Sequence, residues 1–444
     1  MYKTTIGSSP LDTSAISRYC NRLVWRMACS GFPFAQVGVD SVKILPGRKS
    51  RASIFCSMDT LQRYSVGSVL LAGQGRISPY YIYNVTGVFP GMRYNERIIR
   101  QCTQRLRGSS CLKVADSSAV EFHARSADVY MYVGGIHRNM MGASAALAYN
   151  EATQRYFLQG YGAIHLLNNL GYGESLQLQW HGLGQNSQIL DLEARMPYLL
   201  GSRLIPGASI NLTKNDSLCL ELSAQPYLMA QISPSWQLGL GMDGHRLVPS
   251  GQSADIPDTR TLMYGLWMDG KADFGNGGIQ CKASAMAGHR RESIHRTMIS
   301  KTTASIGGQF SLHHPWAYAF RVNGFRIKSD SLLDIHEAFP LGGYDNMCAF
   351  QKNEIRATSA ITTRNTLILQ PATAFAVMVF HEQALYRLCC VGCDISDCPM
   401  DFGAGVRLKA GPATVQMLWA WGRDNSAMRP LQSAKTLIIT EFEF

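Results

Sequence analysis

Asp401-Phe402-Gly403-Ala404-Gly405-Val406-Arg407-Leu408-Lys409-Ala410-Gly411-Pro412-Ala413-Thr414-Val415-Gln416-Met417-Leu418-Trp419-Ala420-Trp421 carries two runs in which every second residue is apolar, separated by one tight-turn signal. Phe402, Ala404, Val406, Leu408 and Ala410 alternate with Gly403, Gly405, Arg407 and Lys409. After Gly411-Pro412 the phase restarts with Ala413, Val415, Met417, Trp419 and Trp421. A period of two on both sides of a Gly-Pro turn is a hairpin with one apolar face. Lys435 to Phe444 is a third such segment, with Ile438, Thr440, Phe442 and Phe444 on one row and Glu441 and Glu443 on the other. A strand of about ten residues, tilted, crosses ~25 Å of hydrocarbon. Its terminal aromatic is what the closing strand of a transmembrane β-barrel carries. From this stretch alone, the edge of a soluble β-sandwich is the alternative.

Bulk composition narrows the choice. Charged residues make up 16% of the 444 and hydrophobic ones 46%. The first figure is below the ~25% usual for soluble domains and the second is ordinary, so apolar residues alternate rather than cluster. No run of about 18 apolar residues occurs, which excludes a helical membrane protein and leaves a barrel open. Glycine and tyrosine are plentiful, which suits tight turns and aromatic girdles at a bilayer's two interfaces. The net charge of +11 comes from scattered Arg and Lys. No basic run is interleaved with aromatics, so nucleic acid is not an expected partner.

In chain order, residues 1–35 lack the basic start and continuous apolar core of a secretory signal, and Met27-Ala28-Cys29 is only a weak lipoprotein-like cleavage site. This segment is read as a leader or as unstructured. Residues 36–134 are read as a small α+β domain. Val37, Val39, Val42 and Ile44 give a strand, and the tyrosine-rich Ile77–Val85 another. Tyr94, Ile98, Ile99, Cys102 and Leu106 give a helix ended by Gly108, followed by strands around Val120–Ala124 and Val129–Val133. Residues 135–444 alternate throughout, as in Leu176, Leu178 and Trp180 against Gln177, Gln179 and His181, or Leu190 and Leu192 against Asp191 and Glu193. Burying those polar rows in a sandwich would be costly, so they face water outside a sheet or in a lumen. The length accommodates roughly sixteen strands.

Phe339-Pro340-Leu341-Gly342-Gly343-Tyr344-Asp345-Asn346-Met347-Cys348-Ala349-Phe350 resembles the loop of the BamA/TamA outer-membrane assembly family, in which Leu-Gly-Gly is followed by Arg-Gly-Phe. Gly87 to Val133, with Phe89-Pro90-Gly91-Met92-Arg93-Tyr94 leading into the helix, resembles that family's POTRA domain. Asn168-Asn169-Leu170-Gly171-Tyr172-Gly173-Glu174 resembles its second barrel hairpin. The resemblance spans about residues 75 to 444 and implies a mainly-β fold, a transmembrane antiparallel barrel of about sixteen strands preceded by a POTRA-like periplasmic domain. It further implies residence in the bacterial outer membrane, an organellar outer membrane being the alternative. The implied role is insertion, assembly or translocation of proteins through a lateral seam between the first strand (Met140, Gly142, Tyr149) and the last (Ile438, Phe442, Phe444). Partners would be the lipid bilayer and unfolded outer-membrane proteins, or a periplasmic or inner-membrane protein on the POTRA-like domain.

The implied lumen-loop site comprises Leu341, Gly342, Gly343, Cys348, Ala349 and Phe350, with Glu382 near the family's acidic partner position. Here the chain departs from the pattern. Cys348 and Ala349 stand where the family has Arg and Gly, so Glu382 is expected to lack a guanidinium, a thiol–carboxylate contact being much weaker. A diverged barrel serving as a passive pore or a partner-binding scaffold is therefore the alternative function. Cys389, Cys390, Cys393 and Cys398 form a cluster that could hold disulfides or a metal, with disulfides favoured because adjacent cysteines do not make the usual zinc-knuckle spacing. His313-His314 and His336-Glu337 read as solvated turn or loop residues. No His-Glu-x-x-His, Gly-x-Ser-x-Gly or phosphate-cradling glycine loop is present, so no enzyme and no cofactor is expected.

Overall fold

The computed structural model describes residues 2–4, 13–45, 51–150, 155–184, 187–215, 219–233, 235–249, 258–292, 295–344, 346–424, 427–428 and 434–444. The chain divides into two compact units, Met1–Ile136 and His137–Phe444.

In the first unit, helix α1 (Thr13–Ala28) follows the first strand of a three-stranded sheet ordered Tyr2–Thr4, Arg51–Asp59, Gln36–Leu45. Its presence corrects the unstructured reading of residues 1–35. Ile16, Tyr19, Cys20, Leu23, Val24 and Met27 recur at helical spacing and are partly buried. A second sheet follows. Strand Ser65–Leu71 runs parallel to Ser126–Met131, which pairs antiparallel with Ala119–Phe122. Two helices connect them, α2 (Pro79–Thr86) and α3 (Glu96–Arg107).

Helix α2 corrects the strand expected at Ile77–Val85. Pro79 sits at the first turn, where its fixed φ suits a helix and its missing N–H is not needed. Gly87 closes the helix at φ 75° with its N–H on the Tyr83 carbonyl. The β-prone tyrosines are overridden by these two ends and by burial of Ile82. Asn95 caps α3 by accepting from the Arg97 and Ile98 amides, and the helix buries Ile99, Cys102 and Leu106. Cys102 Sγ reaches Met131 Sδ at 3.9 Å, which seats α3 on the sheet.

The second unit is a closed antiparallel barrel of sixteen strands. They are β1 (Met140–Asn150), β2 (Arg155–Leu167), β3 (Ser175–Gly184), β4 (Ser187–Arg195), β5 (Leu204–Asn215), β6 (Cys219–Ser233), β7 (Trp236–Pro249) and β8 (Thr259–Phe274). The circuit continues with β9 (Gly277–Glu292), β10 (His295–Ser311), β11 (Trp316–Ser329), β12 (Ser359–Ala372), β13 (Phe375–Cys390), β14 (Met400–Ala410), β15 (Ala413–Asp424) and β16 (Lys435–Glu443). Cys393–Asp397 pairs back on the end of β13. Closure by β16 on β1 removes the open edges a sandwich would leave.

The alternation is resolved into two faces. Leu176, Leu178 and Trp180 point outward and are exposed, as are Phe402, Leu408, Val415 and Trp419. The polar rows point into the lumen, where Asp191 lies opposite Gln179 and accepts from Asn211. "Near rim" below means the rim where β1 begins at Met140, and "far rim" the opposite one.

Between β2 and β3, Asn168 and Gly171 to Glu174 make a tight reversal. The Asn168 side chain accepts from the Gly173 amide at 2.9 Å, and the Glu174 carboxylate accepts from the Leu170 and Tyr172 amides. Asn168, Gly171 and Gly173 all have positive φ. Strand β12 begins only at Ser359, because Ile355–Ala357 pairs with Phe339–Leu341 inside the 330–358 connection.

A clamped loop and a closed seam in the barrel

The 330–358 connection leaves β11 at the far rim and fills part of the lumen. It opens with a short turn of 3-10 helix, Ile335–Glu337, held by a capping box between Asp334 and Glu337. Phe339–Leu341 then pairs with Ile355–Ala357, and Gly342 (φ 108°) and Gly343 (φ 88°) turn the chain into the segment ending at Phe350. A side chain at Gly342 would run into the Gln351 carbonyl, so the turn needs glycine there on both counts. Leu341, Met347, Cys348, Ala349 and Phe350 are all buried.

The tip of this loop is gripped by one row of the wall. In register, Arg364 of β12 lies opposite Glu382 of β13, Glu382 opposite Asp401 of β14, and Asp401 opposite Gly422 of β15. Glu382 accepts from the Cys348 amide at 2.6 Å, and Asp401 accepts from the Ala349 amide at 3.0 Å. Lys435 of β16 donates to the Phe350 carbonyl at 3.2 Å. Arg364 forms an ion pair with Glu382 and donates to Cys348 Sγ at 2.7 Å. Its guanidinium also lies over the rings of Tyr344 and Phe380.

The expectation that Glu382 lacks a guanidinium is thus corrected. The wall supplies it from Arg364 in place of the loop, and Cys348 Sγ sits against the same guanidinium. Two carboxylates, one guanidinium and one ammonium are thus gathered in one buried cluster, where each charge depends on an opposite neighbour. Around it pack Met347, Phe350, Met378, Phe380, Leu418, Leu437 and Ile439.

Gly422 makes room for the loop. A Cβ there would meet Ala349 Cβ at 2.9 Å and Phe350 Cε2 at 3.2 Å. Gly422→Val is therefore expected to cost about 1–3 kcal/mol through overpacking. Unfolding in urea should show the loss, together with protease cleavage within 330–358. An unchanged midpoint and an uncut loop would mean that the loop does not press on β15.

The opposite side of the loop is held near the far rim. Arg290 of β9 makes a bidentate pair with Glu337, with Nε–Oε1 and Nη2–Oε2 both 2.7 Å, and the two side chains are 2% and 4% exposed. Arg356 reaches Glu221 of β6 at 3.3 Å and donates to the carbonyls of His336 and Ala338. The expectation of solvated residues at His336-Glu337 is therefore corrected, because the capping box turns Glu337 toward the wall. His313 and His314 are exposed. Lys352 reaches His181 of β3 at 2.6 Å and Asp191 of β4 at 3.9 Å.

The seam is closed by eight registered pairs, from Thr436 opposite Leu147 to Glu443 opposite Met140. Gly142 faces Glu441, Ile438 faces Ala145, and Phe442 faces Met141. Phe444 lies past the last pair, with its amide on the Asn139 carbonyl at 2.9 Å. Tyr149 pairs in register with Tyr156, but its side chain lies outside the described residues. From Gly142 to Ala146, β1 has only small side chains. Behind it lies a cavity of about 320 Å³, bordered by Gly142, Ser144, Tyr161, Tyr344, Lys435 and Ile439.

Cys389, Cys390, Cys393 and Cys398 are all free thiols, which corrects the disulfide expectation. As strand neighbours, Cys389 and Cys390 point to opposite faces, while Cys390 lies directly opposite Cys393 in register. Cys390 is buried against Ala338 and Leu388, whereas Cys398 accepts from Gln383 at 3.1 Å.

Arg364, Asp401, Lys435, Arg290 and Arg356 were not singled out from sequence. Their roles depend on which strands are neighbours, which the sequence does not print.

No protein-family model matches the chain, and no curated protein matches it in sequence. Solved structures do match in fold. CdiB from Acinetobacter baumannii aligns with a TM-score of 0.68 at 12% identity, over 98% of this chain and 83% of that one. CdiB from Escherichia coli gives 0.65 at 11%, over 98% and 85%. BamA from Haemophilus ducreyi lacking POTRA domains 1-3 gives 0.50 at 11%, over 99% and 95%. At such identities the likeness is one of fold, and the chain shares with these proteins a sixteen-stranded barrel.

Proposed function

We propose that the protein is an outer-membrane barrel that assists insertion or translocation of other proteins through the seam between β1 and β16. The observation that carries this reading is the poverty of side chains on β1. Cross-strand pairs normally add roughly 0.2–1 kcal/mol each over an alanine pair. Along β1, Gly142, Ala143, Ser144, Ala145 and Ala146 face Glu441, Thr440, Ile439, Ile438 and Leu437 on one side. On the other side they face Ala163, Gly162, Tyr161, Gly160 and Gln159. The strand is held chiefly by its backbone, and the cavity behind it leaves the inner face of the seam loosely packed.

Opening this seam exposes backbone donors and acceptors to lipid, where each unsatisfied group is costly. An extended client segment satisfies them by adding as a strand. The client's burial of its own apolar face drives the process, without a nucleotide.

The first unit fits a POTRA-like periplasmic role. Its strand, two helices and two strands, with the first and last strands parallel, support that reading, and its sheet edges offer a second place for strand addition. A passive pore is the poorer reading, because the 330–358 loop stands in the lumen and is bonded to its walls.

The test is client folding in liposomes. An unfolded outer-membrane protein is added to the reconstituted protein, and the protease-resistant product is scored against empty liposomes. Acceleration of at least several-fold is expected. Folding no faster than in empty liposomes would overturn the proposal.

A further inference from the structure

One cluster of metal-binding side chains lies apart from the clamp at the loop tip. Cys219 and Glu221 are two residues apart at the far-rim end of β6, so the period of the strand places both on its lumen face. His336 comes from the 3-10 turn of the lumen loop. One sulfur, one carboxylate oxygen and one imidazole nitrogen from these three residues all lie within 4.8 Å of one another. His336 Nδ1 stands 3.8 Å from Glu221 Oε1. Cys219 is 2% exposed and Glu221 8%.

We propose that Cys219, Glu221 and His336 form a zinc site that fastens the lumen loop to β6. The reading is independent of the seam's activity.

The donor chemistry selects the metal. Thiolate and imidazole disfavour the hard cations Mg²⁺ and Ca²⁺, and a mixed sulfur, nitrogen and oxygen set suits Zn²⁺. Zinc bonds of about 2.0–2.3 Å put the donors of a tetrahedral site roughly 3.3–3.8 Å apart. The spacing found here, up to 4.8 Å, therefore needs closure of at most about 1–1.5 Å. Three protein donors leave the fourth position to water, which the lumen supplies.

The nearby ion pairs Arg290–Glu337, Lys301–Asp243 and Arg356–Glu221 match one cation to each carboxylate. Metal binding would ionise the Cys219 thiol, and that negative charge adds to the attraction for a cation. Arg356 acts from outside the donor set. It bonds Glu221 and the His336 carbonyl together, so it orients two of the three donors. Sequence reading looked for metal at Cys389–Cys398 and passed over this set, whose members come from β6 and from a loop more than a hundred residues later.

The experiment uses the full chain in detergent micelles with Co²⁺ as the spectroscopic probe and Zn²⁺ as competitor. One equivalent of Co²⁺ is expected to give a thiolate charge-transfer band in the near ultraviolet and visible bands of tetrahedral strength, both erased by Zn²⁺. The bands should persist in Cys393→Ser/Cys398→Ser. They should vanish in Cys219→Ser, and His336→Gln should weaken Co²⁺ binding at least tenfold. Heat-modifiable gel migration identifies folded barrels. Should Cys219→Ser fail to fold, the loop variant His336→Gln decides. Absence of the bands in the folded natural protein, their persistence in folded Cys219→Ser, or unchanged affinity in folded His336→Gln would overturn the proposal.

Discussion

Glu382→Ala is expected to destabilise the barrel by about 3–5 kcal/mol, the cost of removing one member of a buried ion pair. The Glu382 side chain is 0% exposed and serves two partners at once, the Arg364 guanidinium and the Cys348 amide. Its removal leaves the largely buried Arg364 guanidinium without this carboxylate and strands the Cys348 N–H away from water. Urea denaturation followed by tryptophan fluorescence should show the loss, and protease should cut within 330–358 before the barrel unfolds. A midpoint within error of the natural protein's would show that the clamp does not hold the loop.

The same geometry predicts what happens when an arginine is introduced into the loop at Cys348. Cys348 is 0% exposed and touches Arg364, so Cys348→Arg alone crowds a second guanidinium against the first where there is no room for it. It should lower stability. Exchanging the two positions, with Cys348→Arg and Arg364→Cys together, keeps one guanidinium beside Glu382. It should recover most of the loss, and a double variant no better than the single would mean that the site does not accept the guanidinium from the loop side.

Locking the seam is expected to reduce client folding to the empty-liposome rate. Ser144 and Ile439 are opposite each other in the register of β1 and β16 and belong to the lumen-facing row. Directly opposed strand residues have the separation a disulfide requires. Ser144→Cys with Ile439→Cys, oxidised in a background where Cys389, Cys390, Cys393 and Cys398 are Ser, should therefore block the seam. Reductant should restore activity. Full activity with a complete cross-link would remove the seam from the mechanism and leave the first unit as the place where clients are handled.

The barrel was legible because each strand needs only one decision, lipid or lumen, and the alternation of Phe402 to Ala410 or Leu176 to Trp180 states it directly. The first unit was harder. Tyr80, Tyr81 and Tyr83 read as a strand by propensity, whereas Pro79 and Gly87 at the two ends determine a helix. Helix α1 carried a readable 3.6-residue pattern, but a search for an uninterrupted apolar core does not detect an amphipathic helix.

The clamp lay in register rather than in motif. Arg364 and Glu382 are equidistant from the turn at Thr373, and placing that turn at Gln370-Pro371 moves the partner of Arg364 to Val377. An error of a few residues in one turn is enough to hide an ion pair. The family resemblance pointed to Glu382, but not to Arg364 on the wall as the source of its guanidinium.

The attachment of the loop to both sides of the seam has a mechanical consequence. Lys435 ties the loop to the last strand, while Lys352 ties it to β3 and β4, just beyond the first two strands. A hoop cut at one point normally springs apart without limit, but this one has a strut fixed on either side of the cut. The gap can widen only as far as two lysine side chains extend before one anchor must let go. Under the proposed opening of the seam, the aperture is thus limited from inside by these two anchors.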